Sequence, residues 1–153
     1  MVKSARPPIG VVLARTAKTV SRVFDDALAE AGGSLPIWLI LISLKSGEAA
    51  NQRELAEAVG VQGATLTYHL NSMEADGLIT RQRDPANRRV HLVRLTDSGE
   101  TLFQRLAGAA ASHDQRLRTN LTADEIATLE QLLDRLRDNV TGSPSATADL
   151  SQV

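Results

Sequence analysis

The apolar positions of this chain change their period along its length, and each change marks an element. From Ile9 onward, Leu13, Ala17, Val20, Phe24 and Leu28 recur at spacings of four, three, four and four, which is one face of a helix. The run "AGGS" at 31–34 stops it. Leu35 and Pro36 open a second helix, because proline is tolerated in a first turn. That helix carries Trp38, Leu41, Ile42 and Leu44 and ends at "SGE". Asn51, with Glu54 three residues on, has the capping-box pattern and starts a short helix containing Leu55, Ala56 and Val59. Gly60 breaks it. The next helix covers about 62–76, with Leu66, Leu70 and Met73 on one side and Gly77 after it.

Beyond Gly77 the period falls to two. "LITRQR" and "RRVHLVRL" are short runs of β-branched and alternating character, separated by "DPAN". Proline fixes φ there, and Asp and Asn bond nearby backbone groups, so the segment predicts an antiparallel hairpin. Thr96 then caps a long helix over 97–118, with Leu102, Phe103, Leu106 and Leu117. Thr122 and Glu125 form a second capping box, with Leu121 and Ile126 at the staple positions. Ile126, Leu129, Leu133, Leu136 and Val140 follow at three, four, three and four, a narrow seam of coiled-coil-like spacing. Residues 1–8, "MVKSARPP", read as a flexible lead-in, and 141–153 as a disordered tail.

The expected fold is therefore mainly α with a small β-hairpin wing. Two short helices joined by a glycine turn are a helix-turn-helix, and a hairpin after the second makes it winged. A single domain is expected over 9–140, with the winged helix-turn-helix at 35–95 and dimerisation helices at 9–31 and 97–140. The flanking amphipathic helices cannot fully cover each other within one chain, which suggests a partner subunit; a monomeric helical cap is the alternative.

Composition narrows the chemistry. Hydrophobic residues are 42% of the chain but aromatics only 3%, so the core is Leu, Val, Ile and Ala. The absence of cysteine excludes disulfides and thiolate metal sites. No apolar run reaches membrane-spanning length and the start lacks a signal-like apolar region, so a soluble cytoplasmic protein without membrane partners is expected. The net charge is −1, so any attraction to nucleic acid must be local.

Such a local concentration exists. Arg81, Arg83, Arg88, Arg89 and Arg94 crowd around the hairpin against a single acid, Asp84. Arginine forks match phosphate oxygens and fit a narrow minor groove. The helix before them has neither Lys nor Arg. In a helix-turn-helix this second helix enters the major groove. At about 100° per residue, Ala64, Tyr68, Asn71 and Ala75 point away from its apolar side, flanked by Thr65, Thr67 and Ser72. The candidate DNA contacts are Gln62, Ala64, Thr65, Thr67, Tyr68 and Asn71 on this helix, and Arg81, Arg83, Arg88 and Arg89 on the wing. The rival reading of the arginines is a solvated hairpin edge that discourages strand pairing.

Other functions find little support. His69, His91 and His113 are not spaced as a helical metal pair, and no Gly-x-Ser-x-Gly appears, so no catalytic residue, metal ligand or cofactor is expected. A winged helix used for protein contact and a metal-sensing regulator are the remaining alternatives. Trp38 reads as core, with the lining of a ligand site as its second reading.

The segment from Gln52 to Gly99, "QRELAEAVGVQGATLTYHLNSMEADGLITRQRDPANRRVHLVRLTDSG", resembles the MarR family of bacterial winged-helix regulators. The matching features are Leu55 and Ala56, Thr65 and Thr67, Met73 to Leu78, Asp84 to Arg89, and Leu95 to Gly99, five in order. The resemblance implies a homodimer with interlocking terminal helices and two winged domains for the halves of a palindromic double-stranded operator. It also implies a transcriptional regulator, usually a repressor, often released by a small organic ligand. One departure is Asn87, where the family usually has an aspartate that holds an arginine. Asparagine can shape the turn but cannot form that ion pair.

Overall fold

The computed structural model describes residues 6–47, 49 and 51–142. Of the expected lead-in, residues 6–8 are exposed and irregular, while 1–5 lie outside the described residues, as do 143–153 of the expected tail. Among the described residues the order is α1 (Ile9–Glu30), α2 (Leu35–Ser46), α3 (Gln52–Val59), α4 (Gly63–Ala75), β1 (Ile79–Arg83), β2 (His91–Leu95), α5 (Asp97–Arg118) and α6 (Ala123–Thr141). This is the mainly α architecture with a hairpin wing that the periodicity predicts. The chain divides into two compact units, Met1–His113 and Asp114–Val153. No single helix among the described residues is long and apolar enough to cross a membrane.

In the first unit the core gathers Leu28, Ile40, Leu41, Leu55, Leu66, Leu70, Met73, Ile79 and Leu106, all essentially without exposure. Local signals set the elements around it. Ser34 Oγ accepts the Ile37 N–H and Asn51 Oδ1 accepts the Glu54 N–H, so both helices start where their caps dictate. α3 ends at Gly60, whose φ of +73° suits glycine and lets its N–H reach the Ala56 carbonyl at 3.0 Å. Three residues later α4 begins, which fixes the helix-turn-helix.

The exit from α4 is tied to the start of α5. Gly77 is left-handed, and the Leu78 N–H returns to the Met73 carbonyl at 2.9 Å, the Schellman closure. Thr96 Oγ1 donates to the Gly77 carbonyl at 2.6 Å and accepts the Gly99 N–H at 3.1 Å, while the Thr96 N–H bonds the Leu78 carbonyl at 3.1 Å. Gly99 is buried here, and a Cβ on it would collide with the Leu78 carbonyl oxygen. Nearby, Lys45 reaches both oxygens of Glu100 at 2.7 and 2.8 Å. Hydrogen bonds from Lys45 and then Gln104 hold the Glu100 carboxyl below its usual range.

β1 and β2 pair antiparallel, with Ile79 opposite Leu95 and Arg83 opposite His91. A bridge between Asn51 and Leu92 attaches the hairpin to the segment before α3. β2 starts at His91, later than the run beginning at Arg88 suggests. The reason is the tip, where two turns follow each other: the Asn87 N–H bonds the Asp84 carbonyl at 3.2 Å, and the Val90 N–H bonds the Asn87 carbonyl at 2.9 Å. Each turn is reinforced by its first side chain, Asp84 Oδ1 to the Ala86 N–H at 2.8 Å and Asn87 Oδ1 to the Arg89 N–H at 3.2 Å.

In the second unit α6 opens on a complete capping box: Thr122 Oγ1 accepts the Glu125 N–H, and Glu125 Oε2 accepts the Thr122 N–H. The helix buries no residue; Leu129, Leu132, Leu133 and Val140 are exposed. In the first unit, the opening turns of α1 are similar, with Ile9, Val11, Val12 and Leu13 exposed, although Leu28 at its other end is fully buried.

Candidate nucleic-acid interface

α4 is anchored by Leu66, Leu70 and Met73, which are buried, and this fixes what the rest of the helix presents. Ala64, Thr65, Tyr68, Asn71, Ser72 and Ala75 are all exposed. Tyr68 stands out at 72% exposure, with its ring edge-on to His69 at 5.5 Å. A tyrosine so exposed adds little to the core and leaves its ring and hydroxyl at the surface. Gln62 is the N-cap residue, but its side chain makes no cap bond, so the first N–H groups of α4 have no side-chain partner from it. Thr67 differs from its neighbours. It is half-buried, and its hydroxyl donates to the Gly63 carbonyl at 2.9 Å, which spends its proton within the helix.

The arginines separate into three groups. Arg83, Arg88 and Arg89 are exposed at the far end of the hairpin, and none of them forms an ion pair among the described residues. Arg94 is exposed at the hairpin base, opposite Thr80. Arg81 is turned inward. It shares a hairpin face with Ile79 and stands opposite Val93, both buried. Its side chain keeps only 17% exposure. Its Nε and Nη2 donate to Glu74 Oε2 at 3.1 and 2.7 Å, and its backbone N–H donates to Glu74 Oε1 at 3.2 Å. Arg81 Nη2 also lies 2.6 Å from Asn71 Oδ1. The hydrogen bond from Arg81 is the main reason the Glu74 carboxyl sits below its usual range.

Two residues of this surface are absent from the sequence-derived candidates. Glu74 is the only acid on α4, seven positions before an arginine of a strand that packs on it, and that pairing was the available signal. Arg53 lies in the first turn of α3, highly exposed and 3.5 Å from Glu57. A cation in a first turn opposes the helix dipole, and its pairing with Glu57 at i,i+4 offsets this by a few tenths of a kcal/mol at most. An open groove of about 1020 Å³ runs between the start of α3, α4 and the wing, with Arg53, Thr67, Glu74, Arg81 and Arg89 among its walls.

Trp38 lies away from these residues. It is half-buried and stacks on Phe103 with ring centroids 5.6 Å apart, and Lys45 Nζ lies 5.7 Å from the Phe103 centroid.

Comparison with known proteins gives consistent relatives. The family model described as MarR matches residues 34–91. An uncharacterised HTH-type transcriptional regulator, YdgJ, of Bacillus subtilis strain 168 is 30% identical over 101 residues, 66% of this chain. The chain spans 62% of the length of that curated relative. Among solved structures, the PcaV transcriptional regulator from Streptomyces coelicolor is similar with a TM-score of 0.78 and 28% identity, covering 89% of this chain and 99% of that one. The transcriptional repressor CouR, bound to a 23-mer DNA duplex, has a TM-score of 0.75 and 27% identity, covering 85% and 92%. A mutant MarR from E. coli complexed with operator DNA has a TM-score of 0.73 and 27% identity, covering 84% and 93%.

Proposed function

Because this chain belongs to the MarR family of winged helix-turn-helix regulators, we propose that it binds a palindromic double-stranded DNA operator as a homodimer and acts as a repressor in the cytoplasm. The family is one of regulators and not of enzymes. The observation that carries the reading is the pairing of two surfaces: an exposed, uncharged outer face of α4 beside a hairpin tip with three unpaired arginines. α4 enters the major groove, where Thr65, Tyr68 and Asn71 meet base edges. The α4 start offers backbone N–H groups to a phosphate. Arg83, Arg88 and Arg89 follow the backbone or the adjoining minor groove. The two similar structures solved with DNA, CouR and the E. coli MarR mutant, support the same use of the fold.

Dimerisation is supported by apolar surface that has no cover. The seam on α6 and the first turns of α1 leave Leu13, Leu129, Leu133 and Val140 exposed. Truncation after Asp124 removes the α6 seam, and sedimentation should then report loss of the dimer with much weaker operator binding. A fully dimeric truncate would remove α6 from the interface. Release by a small organic effector belongs to the same reading. The half-buried Trp38–Phe103 stack is the aromatic surface on which a planar effector is sought, and Trp38 is the chain's only tryptophan, so its fluorescence reports binding.

Selection of genomic fragments by the purified full-length chain tests the function directly. Recovery of fragments sharing a palindrome is the expected result. Recovery of no common sequence, with retention on DNA indifferent to salt, would overturn it in favour of a protein-contact winged helix.

A further inference from the structure

A side-chain amide has one donating end and one accepting end, and the end that faces outward decides which base edge it can read. For Asn71 the structure settles this. A guanidinium only donates, so the atom 2.6 Å from Arg81 Nη2 must be the carbonyl oxygen of Asn71. Arg81 is not free to turn away, because Glu74 holds its Nε, its Nη2 and its backbone N–H at 3.1, 2.7 and 3.2 Å. Glu74 and Asn71 are three residues apart on α4, so both meet Arg81 on the same side of the helix. Asn71 is exposed, and with its oxygen turned toward the wing its NH₂ group is left for solvent or DNA.

We propose that the Glu74–Arg81 pair fixes the polarity of Asn71, so that this residue presents a donor and favours guanine, with its two acceptors N7 and O6, or thymine O4, over adenine, whose N7 acceptor is flanked by the N6 donor. An unrestrained asparagine takes adenine by using both ends at once, donating to N7 and accepting from N6. With the oxygen turned toward Arg81, that bidentate grip would require the amide to leave the 2.6 Å contact, and the end left facing outward is a donor. Arg81 and Glu74 are positioning residues in this scheme, and neither has to touch DNA. The inference rests on the DNA-reading surface proposed above.

Selection from randomised duplex DNA by the full-length protein and its variants tests it. Asn71→Ala identifies the position in each half-site that depends on Asn71. In the wild type this position should favour guanine or thymine over adenine. Arg81→Met removes the restraint and should reduce that preference by about fivefold or more, or turn it toward adenine, while the other positions stay as in the wild type. Arg81→Lys keeps a cation beside Glu74 without the fork that reaches Asn71, and should do the same; it carries the test if Arg81→Met does not fold. A role confined to stability would weaken all positions together. A wild-type preference for adenine at the Asn71 position overturns the inference, as does an unchanged preference in the folded Arg81 variants. A clear wild-type motif with no Asn71-dependent position overturns it alone, whereas no motif at all overturns the DNA-reading proposal as well.

Discussion

Replacing Arg88 and Arg89 together by alanine should weaken DNA binding and flatten its salt dependence without disturbing the fold. Both side chains are exposed, and neither is in an ion pair among the described residues. The tip is held by Asp84 and Asn87, whose bonds run to backbone N–H groups, and alanine at position 89 keeps the one that Asn87 uses. Exposed charges of this kind contribute little to stability. Each phosphate neutralised contributes about 0.9 to the slope of log affinity against log salt. In the proposed dimer, two arginines on each of two wings would account for up to about 3.6 of that slope. A fourfold rise in salt, from about 50 to about 200 mM, should then cost the wild type about 150 times more affinity than the variant. Fluorescence anisotropy with operator and random duplexes across a salt series measures this, with circular dichroism and sedimentation to verify folding and assembly. Specific and random DNA should be affected alike. Unchanged affinity and slope in a folded, dimeric double variant would refute the reasoning and leave the arginines as a solvated edge.

Thr65→Ala and Tyr68→Ala should each lower the preference for operator over random DNA by about 1–3 kcal/mol, the worth of a lost base contact; competition binding in which both keep the wild-type ratio would assign sequence reading to another face. Gly99→Ala should destabilise by about 3 kcal/mol, the upper end for overpacking, because the obstacle is the Leu78 carbonyl and not a movable side chain. Its melting point should fall by roughly 6–12 °C, and a wild-type value would show that the backbone yields there. Glu74 has a lowered carboxyl pKa through Arg81, so its contribution to stability is present above the usual glutamate range and lost as pH falls through the folded value. Acid unfolding of Glu74→Gln should accordingly depend less steeply on pH over that interval, and parallel curves for variant and wild type would show the pair contributes nothing.

Most elements were legible because they carry their own punctuation, although neither α1 nor α4 has a side-chain cap at its start. Ser34, Asn51 and Thr122 announce helices through bonds made within three residues, and Gly60 and Gly77 end them through a backbone conformation that glycine adopts at no steric cost. Less legible was anything set by the partner of an element. The cluster of five arginines reads as one patch by composition, yet Arg81 follows Ile79 at strand period and so joins the buried face. Counting by twos from Ile79 gives its direction, but only packing on α4 supplies Glu74 as the reason it stays there. The start of β2 was displaced because the turn chemistry read from "DPAN" makes two successive turns, the second running from Asn87 to Val90 and taking Arg88 and Arg89 out of the strand. Along α1 the period identifies the apolar face from Leu13 to Leu28 and its incomplete cover, but not that the exposed part is its opening turns.

Thr96 and Gly99 join α5, the exit of α4 and the roots of both hairpin strands at a single point. In mechanical terms this gives α4 and the hairpin a common root at the start of α5. On B-form DNA, an extra base pair between half-sites rotates the second by about 35° and moves it by about 3.4 Å. In the dimer proposed above, each α4 and its hairpin would have to follow that change together with their common root. On the proposed function, the lettering of an operator would be screened at the surface of α4, and its phasing by the shared root at Thr96.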